Sequence, residues 1–157
     1  MKVTPLHRSL RPVVRALQQQ PDLDLIAVVL FGSRARGDDR PESDWDLLVV
    51  ASQLPAKPFP RHLRLKAVLP VAWRGKISLL AKTPTEFEAN LSTLYLDIAL
   101  DGLILHDTEG YIQRHLFRLR QLIEEQGLHR EQRGRDLIWK WNTFPGTGWQ
   151  LTWEGTT

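Results

Sequence analysis

The chain has no cysteine among its 157 residues. That excludes disulfides and thiolate metal sites and fits a cytoplasmic protein. It has no apolar run of the roughly 18 residues that a membrane-spanning helix needs. Its start, Met1-Lys2-Val3-Thr4-Pro5, lacks the hydrophobic segment of a signal peptide. Charge of one sign is not in large excess: the formal net charge is +3, too mild for the footprint of a dedicated nucleic-acid binder. There are no internal repeats and no low-complexity tract. What remains is ordinary globular composition, 42% hydrophobic and 25% charged, in a chain long enough for one domain with a real core.

Within that composition one stretch carries chemistry. Ile26-Ala27-Val28-Val29-Leu30 reads as a buried strand, and Leu47-Leu48-Val49-Val50 as a second. Between them stand Gly32-Ser33, ten residues, then Asp44-Trp45-Asp46. A Gly-Ser turn at a strand end lets backbone approach a phosphate, and the hydroxyl adds a donor. A short helix starting at Ser33 would also turn free N–H groups toward an anion. Asp44 and Asp46, two apart on a strand, leave the same face about 6–7 Å apart. Such a pair suits a hard cation such as Mg²⁺. Antiparallel pairing of the two strands would bring turn and carboxylates to one end of the sheet. Arg34, Arg36 and Arg40 add positive charge where a triphosphate would need it. Either short motif alone is most often a solvated turn; the combination between two apolar strands points to metal-assisted transfer from a nucleoside triphosphate.

Gly32-Ser33, ten residues, then Asp44-x-Asp46 resembles the signature of the nucleotidyltransferase fold of the DNA polymerase β superfamily. It is most similar to the minimal nucleotidyltransferases, which are often encoded beside a HEPN-domain toxin as antitoxins. The resemblance implies an α/β (α+β) fold, a small mixed sheet flanked by helices. It implies Asp44 and Asp46 as catalytic metal ligands, with Gly32, Ser33, Arg34 and Arg36 binding ATP or another NTP with Mg²⁺. It also implies a third carboxylate on the strand at residues 76–80. There this chain has Ser78, which neither binds Mg²⁺ strongly nor acts as a base at neutral pH. Glu86 or Glu88 could substitute, although Glu86 is better explained as part of a helix cap. The implied reaction is transfer of a nucleoside monophosphate, AMP from ATP, to a macromolecular hydroxyl. The acceptor would be a tyrosine of a HEPN toxin or an RNA 3′ end. The competing reading is a nucleotide-binding antitoxin that has lost catalysis and neutralises its partner by contact.

Elsewhere the pattern predicts an amphipathic helix over 4–20 with Leu6, Leu10, Val13, Val14 and Leu17 inward, kinked or delayed at Pro12. A loop over 52–60 precedes a helix over 61–69 whose basic face is solvated. A strand follows at 76–80. One long helix over 83–102 opens on the capping box Thr83-Pro84-Thr85-Glu86, buries Phe87, Leu91, Leu94, Tyr95 and Ile98, and ends at Gly102 as its C-cap. After a strand at 103–105, Asp107 or Thr108 caps a helix stopped at Gly127. His106-Asp107 reads as a cap rather than a proton relay. Asp38 and Asp39 read as a solvated loop, and Trp45 as core packing on the opposite face. Residues 1–127 form the expected nucleotidyltransferase domain. Residues 128–157 form a basic, tryptophan-rich extension, expected to pack on the domain or a partner, with RNA a less favoured ligand.

Overall fold

The computed structural model describes residues 2–156. Helix α1 spans Pro5–Gln18. Thr4 caps it, its hydroxyl accepting from the His7 N–H, and proline at the first position has no N–H to lose. Leu10, Val13 and Leu17 are fully buried, as their spacing requires. The helix runs through Pro12 and starts before it, so the expected later start is not found. Strand β1, Leu25–Phe31, leads through a single helical turn, α2 (Ser33–Arg36), and a loop to β2, Trp45–Ala51.

Helix α3, Pro58–Val68, begins three residues before the expected helix. Pro58 and Pro60 sit in its first turn, where proline is tolerated, so the prolines start this helix rather than extend the loop. Its basic face is not merely solvated. Arg61 bridges to Glu86 at 2.8 Å, Arg64 to Asp22 at 2.8 Å, and Lys66 donates to the carbonyls of Arg74 and Ile77.

Strand β3 is Ile77–Lys82. The expected single helix over 83–102 is two, α4 (Pro84–Ala89) and α5 (Thr93–Asp101). Asn90 is extended, and Ser92 occupies the N-cap of α5. Asparagine and serine offer the backbone local hydrogen bonds that compete with helix, which favours a break here. The break turns Leu94 outward, 38% exposed, where a continuous stripe would have buried it. Strand β4, Leu103–Asp107, and α6, Tyr111–Glu125, follow. Both Asp107 carboxylate oxygens accept backbone N–H groups of α6, from Ile112 at 2.9 Å and Gln113 at 3.0 Å, which is the cap expected of it.

The sheet order is β3-β2-β1-β4, with β1 antiparallel to β2 and β4, and β2 parallel to β3. It is a mixed sheet flanked by helices, the expected class. Both faces are covered, which explains the continuous apolar runs in β1 and β2. On one face Val28, Leu30, Leu47 and Val49 meet α1 and α3. On the other, Ala27, Val29, Leu48 and Val50 meet Phe87, α5 and α6. Gly102 does not take the left-handed cap conformation expected of it; its φ is −62°. Glycine is required there because a Cβ would lie 2.9 Å from the Val29 side chain.

The last thirty residues hold a β-hairpin, β5 (Leu128–Arg133) with β6 (Asp136–Trp141), and a short pair, β7 (Leu151–Thr152) with β8 (Gly155–Thr156). Trp139, Trp141 and Trp153 pack against the α5/α6 core. Arg130 of β5 pairs bidentately with Asp101, at 2.7 and 2.8 Å, and reaches Asp97 at 3.0 Å. The Trp139 indole N–H donates to the same Asp97.

Candidate functional site

Because β1 and β2 run antiparallel, the end of one and the start of the other meet, and Phe31 lies opposite Asp46. Gly32 leaves β1 at φ 74°, ψ −161°, a conformation essentially reserved for glycine. A Cβ on Gly32 would overlap the Asp46 carboxylate, whose Cγ would stand 3.2 Å from it. Turn and carboxylate are thus in contact, and the glycine makes that possible. In the turn that follows, the N–H groups of Ala35 and Arg36 bond the Gly32 carbonyl at 3.1 Å. Those of Ser33 and Arg34 take no part in these bonds, as expected of a first helical turn.

Asp46 is half-buried and shares its sheet face with Leu48 and Val50, the side covered by α5 and α6. Burial raises its pKa above the usual carboxylate value, and the neighbouring charge of Asp44 adds to the rise. The Ser78 hydroxyl and the Arg36 charge pull the other way. Asp44 is exposed, one residue ahead of β2. The site therefore holds two like charges with all-oxygen donors, which suits one hard divalent cation completed by substrate phosphates. Among the described residues no group of three metal-binding acidic or histidine side chains exists.

The parallel register of β2 and β3 puts Ser78 directly beside Asp46. This is where the resemblance places a third carboxylate. Neither substitute stands in for it. Glu86 closes its capping box with Thr83 and takes two guanidinium hydrogen bonds from Arg61. Those bonds lower its pKa to about 2. Glu88 accepts from the Tyr111 hydroxyl at 3.0 Å and pairs with His115 at 2.8 Å.

The two candidate arginines differ. Arg34 donates to the carbonyls of Ser43 and Pro41, pairs with Asp39 at 2.8 Å and lies over the Trp45 ring at 4.7 Å. It shapes the loop that delivers Asp44. Asp38 and Asp39 lie in an exposed loop, as expected, and Asp39 braces it through Arg34. Trp45 also meets Trp73 edge-on at 5.4 Å on the α1/α3 side, the packing role expected of it. Arg36 pairs with Asp38 at 3.3 Å and Asp101 at 3.7 Å and lines a cleft of about 240 Å³ beside Ser33.

Sequence reasoning missed Asp97 and Asp101. Their spacing, four apart on one helix face, was a visible signal. Their partners are distant in sequence and were not.

Comparison with known proteins bears on this geometry. The family model for polymerase β nucleotidyltransferases matches residues 13–126. A protein of Methanocaldococcus jannaschii named as a candidate protein adenylyltransferase is 30% identical over 123 residues, 76% of this chain and 84% of that protein. A toxin–antitoxin crystal structure with AMP-PNP shares the fold at a TM-score of 0.54 and 18% identity, over 73% of this chain and 86% of its own. A mutant MntA–HpeT toxin–antitoxin structure does so at 0.52 and 16%, over 76% and 87%. No helix among the described residues is long and apolar enough to cross a membrane.

Proposed function

The chain belongs to the polymerase β nucleotidyltransferase family, and from that premise we propose that it transfers AMP from ATP to a hydroxyl of a HEPN-type toxin protein. Residues 1–127 carry the transferase unit, and 128–157 are an extension added to it. The observation that carries the reading is the contact between the Gly32 turn and the Asp46 carboxylate at one end of the sheet. Gly32 and Ser33 receive the β- and γ-phosphates through backbone and hydroxyl. Arg36 offsets their charge, and Arg34 holds the loop in place. Asp44 and Asp46 would hold Mg²⁺, which supplies neutralisation of phosphate charge when bound.

The chain's own part is positioning. The rigid β1 end sets the phosphates, and the β2 start sets the carboxylates. The acceptor hydroxyl gives up its proton to solvent, and its oxygen bonds to the α-phosphorus in line as the bond to the departing pyrophosphate breaks. Support for AMP and a protein acceptor comes from the adenylyltransferase-named relative and from the toxin–antitoxin structures that share the fold.

A second reading rests on Ser78, exposed beside Asp46 where a carboxylate would complete a two-metal set. In that reading the protein binds nucleotide and neutralises its partner by contact alone. One experiment separates them: incubation with α-labelled ATP, Mg²⁺ and the HEPN-type product of a neighbouring gene. Label on the partner that disappears with Asp44→Asn plus Asp46→Asn supports transfer. Label unaffected by that pair defeats the site assignment. Neutralisation that persists in the double variant with no label in the wild type favours binding alone.

A further inference from the structure

The matched family region ends at residue 126, yet the hairpin beyond it reaches back to the phosphate turn. Its two-residue turn is Gly134-Arg135, between the paired Arg133 and Asp136. The cleft beside Ser33 is walled on one side by Arg36, Asp38 and Arg40, and on the other by Gln132 and Arg135 of the hairpin. Arg36 also meets Asp38 at 3.3 Å and Asp101 at 3.7 Å, so part of its charge is already offset. Arg40 and Arg135 have no side-chain partner among the described residues. Two arginines without an ion-pair partner therefore line one small cleft next to the turn. Planar guanidinium forks suit phosphate oxygens.

The hairpin is held there by a specific brace. Asp101, at the end of α5, takes Arg130 of β5 on both oxygens and also meets Arg36 of α2. One carboxylate thereby ties hairpin and phosphate turn together. Trp139, on the paired strand, bonds Asp97 one helical turn earlier. The hairpin also stands on the Asp46 face of the sheet, since Trp139 and Trp141 join the core on the α5/α6 side. Other basic side chains of the extension are already matched: Arg133 and Lys140 both reach Glu131.

We propose that the 128–141 hairpin is a built-in roof of the nucleotide site, and that Arg135, with Gln132 and Arg40, binds the terminal phosphates of the nucleoside triphosphate. This rests on the nucleotide reading above and adds to it a positioning arm from outside the family region. Arg135 holds the leaving pyrophosphate end, so its contribution vanishes for a ligand that lacks those phosphates.

The test is equilibrium binding to the full chain of four probes: MgATP, AMP, inorganic tripolyphosphate and a short single-stranded RNA. Arg135 is exposed in a turn, so Arg135→Ala should melt with the wild type. The expected result is a loss of about two- to fivefold for MgATP and tripolyphosphate, the scale of an exposed charge contact. AMP affinity should be unchanged, and Arg135→Lys should recover part of the loss. Unchanged ATP affinity, an equal loss for AMP, a loss confined to RNA, or a wild type that binds neither ATP nor tripolyphosphate overturns the proposal. Label transfer indifferent to the Asp44 and Asp46 changes would defeat the transferase reading while leaving this phosphate measurement standing, so the two failures are separable.

Discussion

Replacing Gly32 by alanine tests the geometry at its tightest point. Two effects add. The backbone at φ 74°, ψ −161° lies where side-chain-bearing residues are strained by about 1–3 kcal/mol. The new methyl would also overlap the Asp46 carboxylate, and the Asp46 backbone cannot retreat because it is paired with Phe31 on one side and Ser78 on the other. The side chain must swing instead. For a domain of this size each kcal/mol shifts melting by about 2–4 °C, so strain alone predicts a fall of about 2–12 °C. Displacing a reacting group by about 1 Å can cost on the order of a hundredfold in rate, and transfer should fall by at least that much. Circular-dichroism melts and label transfer on the same preparations read both effects. Melting within about 1 °C of wild type, with transfer within about twofold, would refute the contact between turn and carboxylate.

Other outcomes follow from the ion pairs. Arg61 holds Glu86 down to about 2, so the pair's stabilisation is present above the unfolded value near 4.5 and is lost as pH falls toward about 2. Glu86→Gln should flatten the fall in melting temperature across that window, whereas a curve parallel to wild type would remove Glu86 from acid stability. Arg130→Ala removes the guanidinium shared by two part-buried carboxylates, leaving Asp97 with Trp139 and Asp101 with the longer Arg36 contact, at a cost of about 1.5–3 kcal/mol, and should raise hydrogen exchange over residues 128–141. Protection unchanged there would mean that the tryptophans alone hold the hairpin. Ser78→Asp places a third carboxylate beside Asp46; it should lower melting without metal, recover it with Mg²⁺ and raise turnover. An equal Mg²⁺ shift in variant and wild type would show that position 78 does not face the cation.

Short-range chemistry made much of this legible. Apolar runs announced β1 and β2. Thr83 and Glu86 announced the start of α4, and the separation of Gly32-Ser33 from Asp44 and Asp46 announced a shared end of two strands. The break at Asn90 was less visible, because a helical stripe of apolar residues continues across it. Only the cost of holding Asn90 and Ser92 in helix argues against continuity, and that cost is small beside burial. The start of α3 was misjudged for a related reason: clustered prolines signal both a loop and a helix's first turn.

The chain order alone determined which residues could meet across one strand–turn–strand unit, since a glycine, a serine and two aspartates at that spacing have few other places to go. It determined equally that a serine stands where a third acid would. Tertiary packing decided which charges were already spent. Arg34 and Arg36 read alike in sequence, but one is locked to Asp39 and two carbonyls while the other lines a cleft. Packing also brought Arg130, through Asp101, and Arg135, across a shared cleft, from the far end of the chain to the turn after Gly32. A charge shows its type locally, but its partner is chosen by how distant elements dock, and no periodicity in the chain encodes that distance.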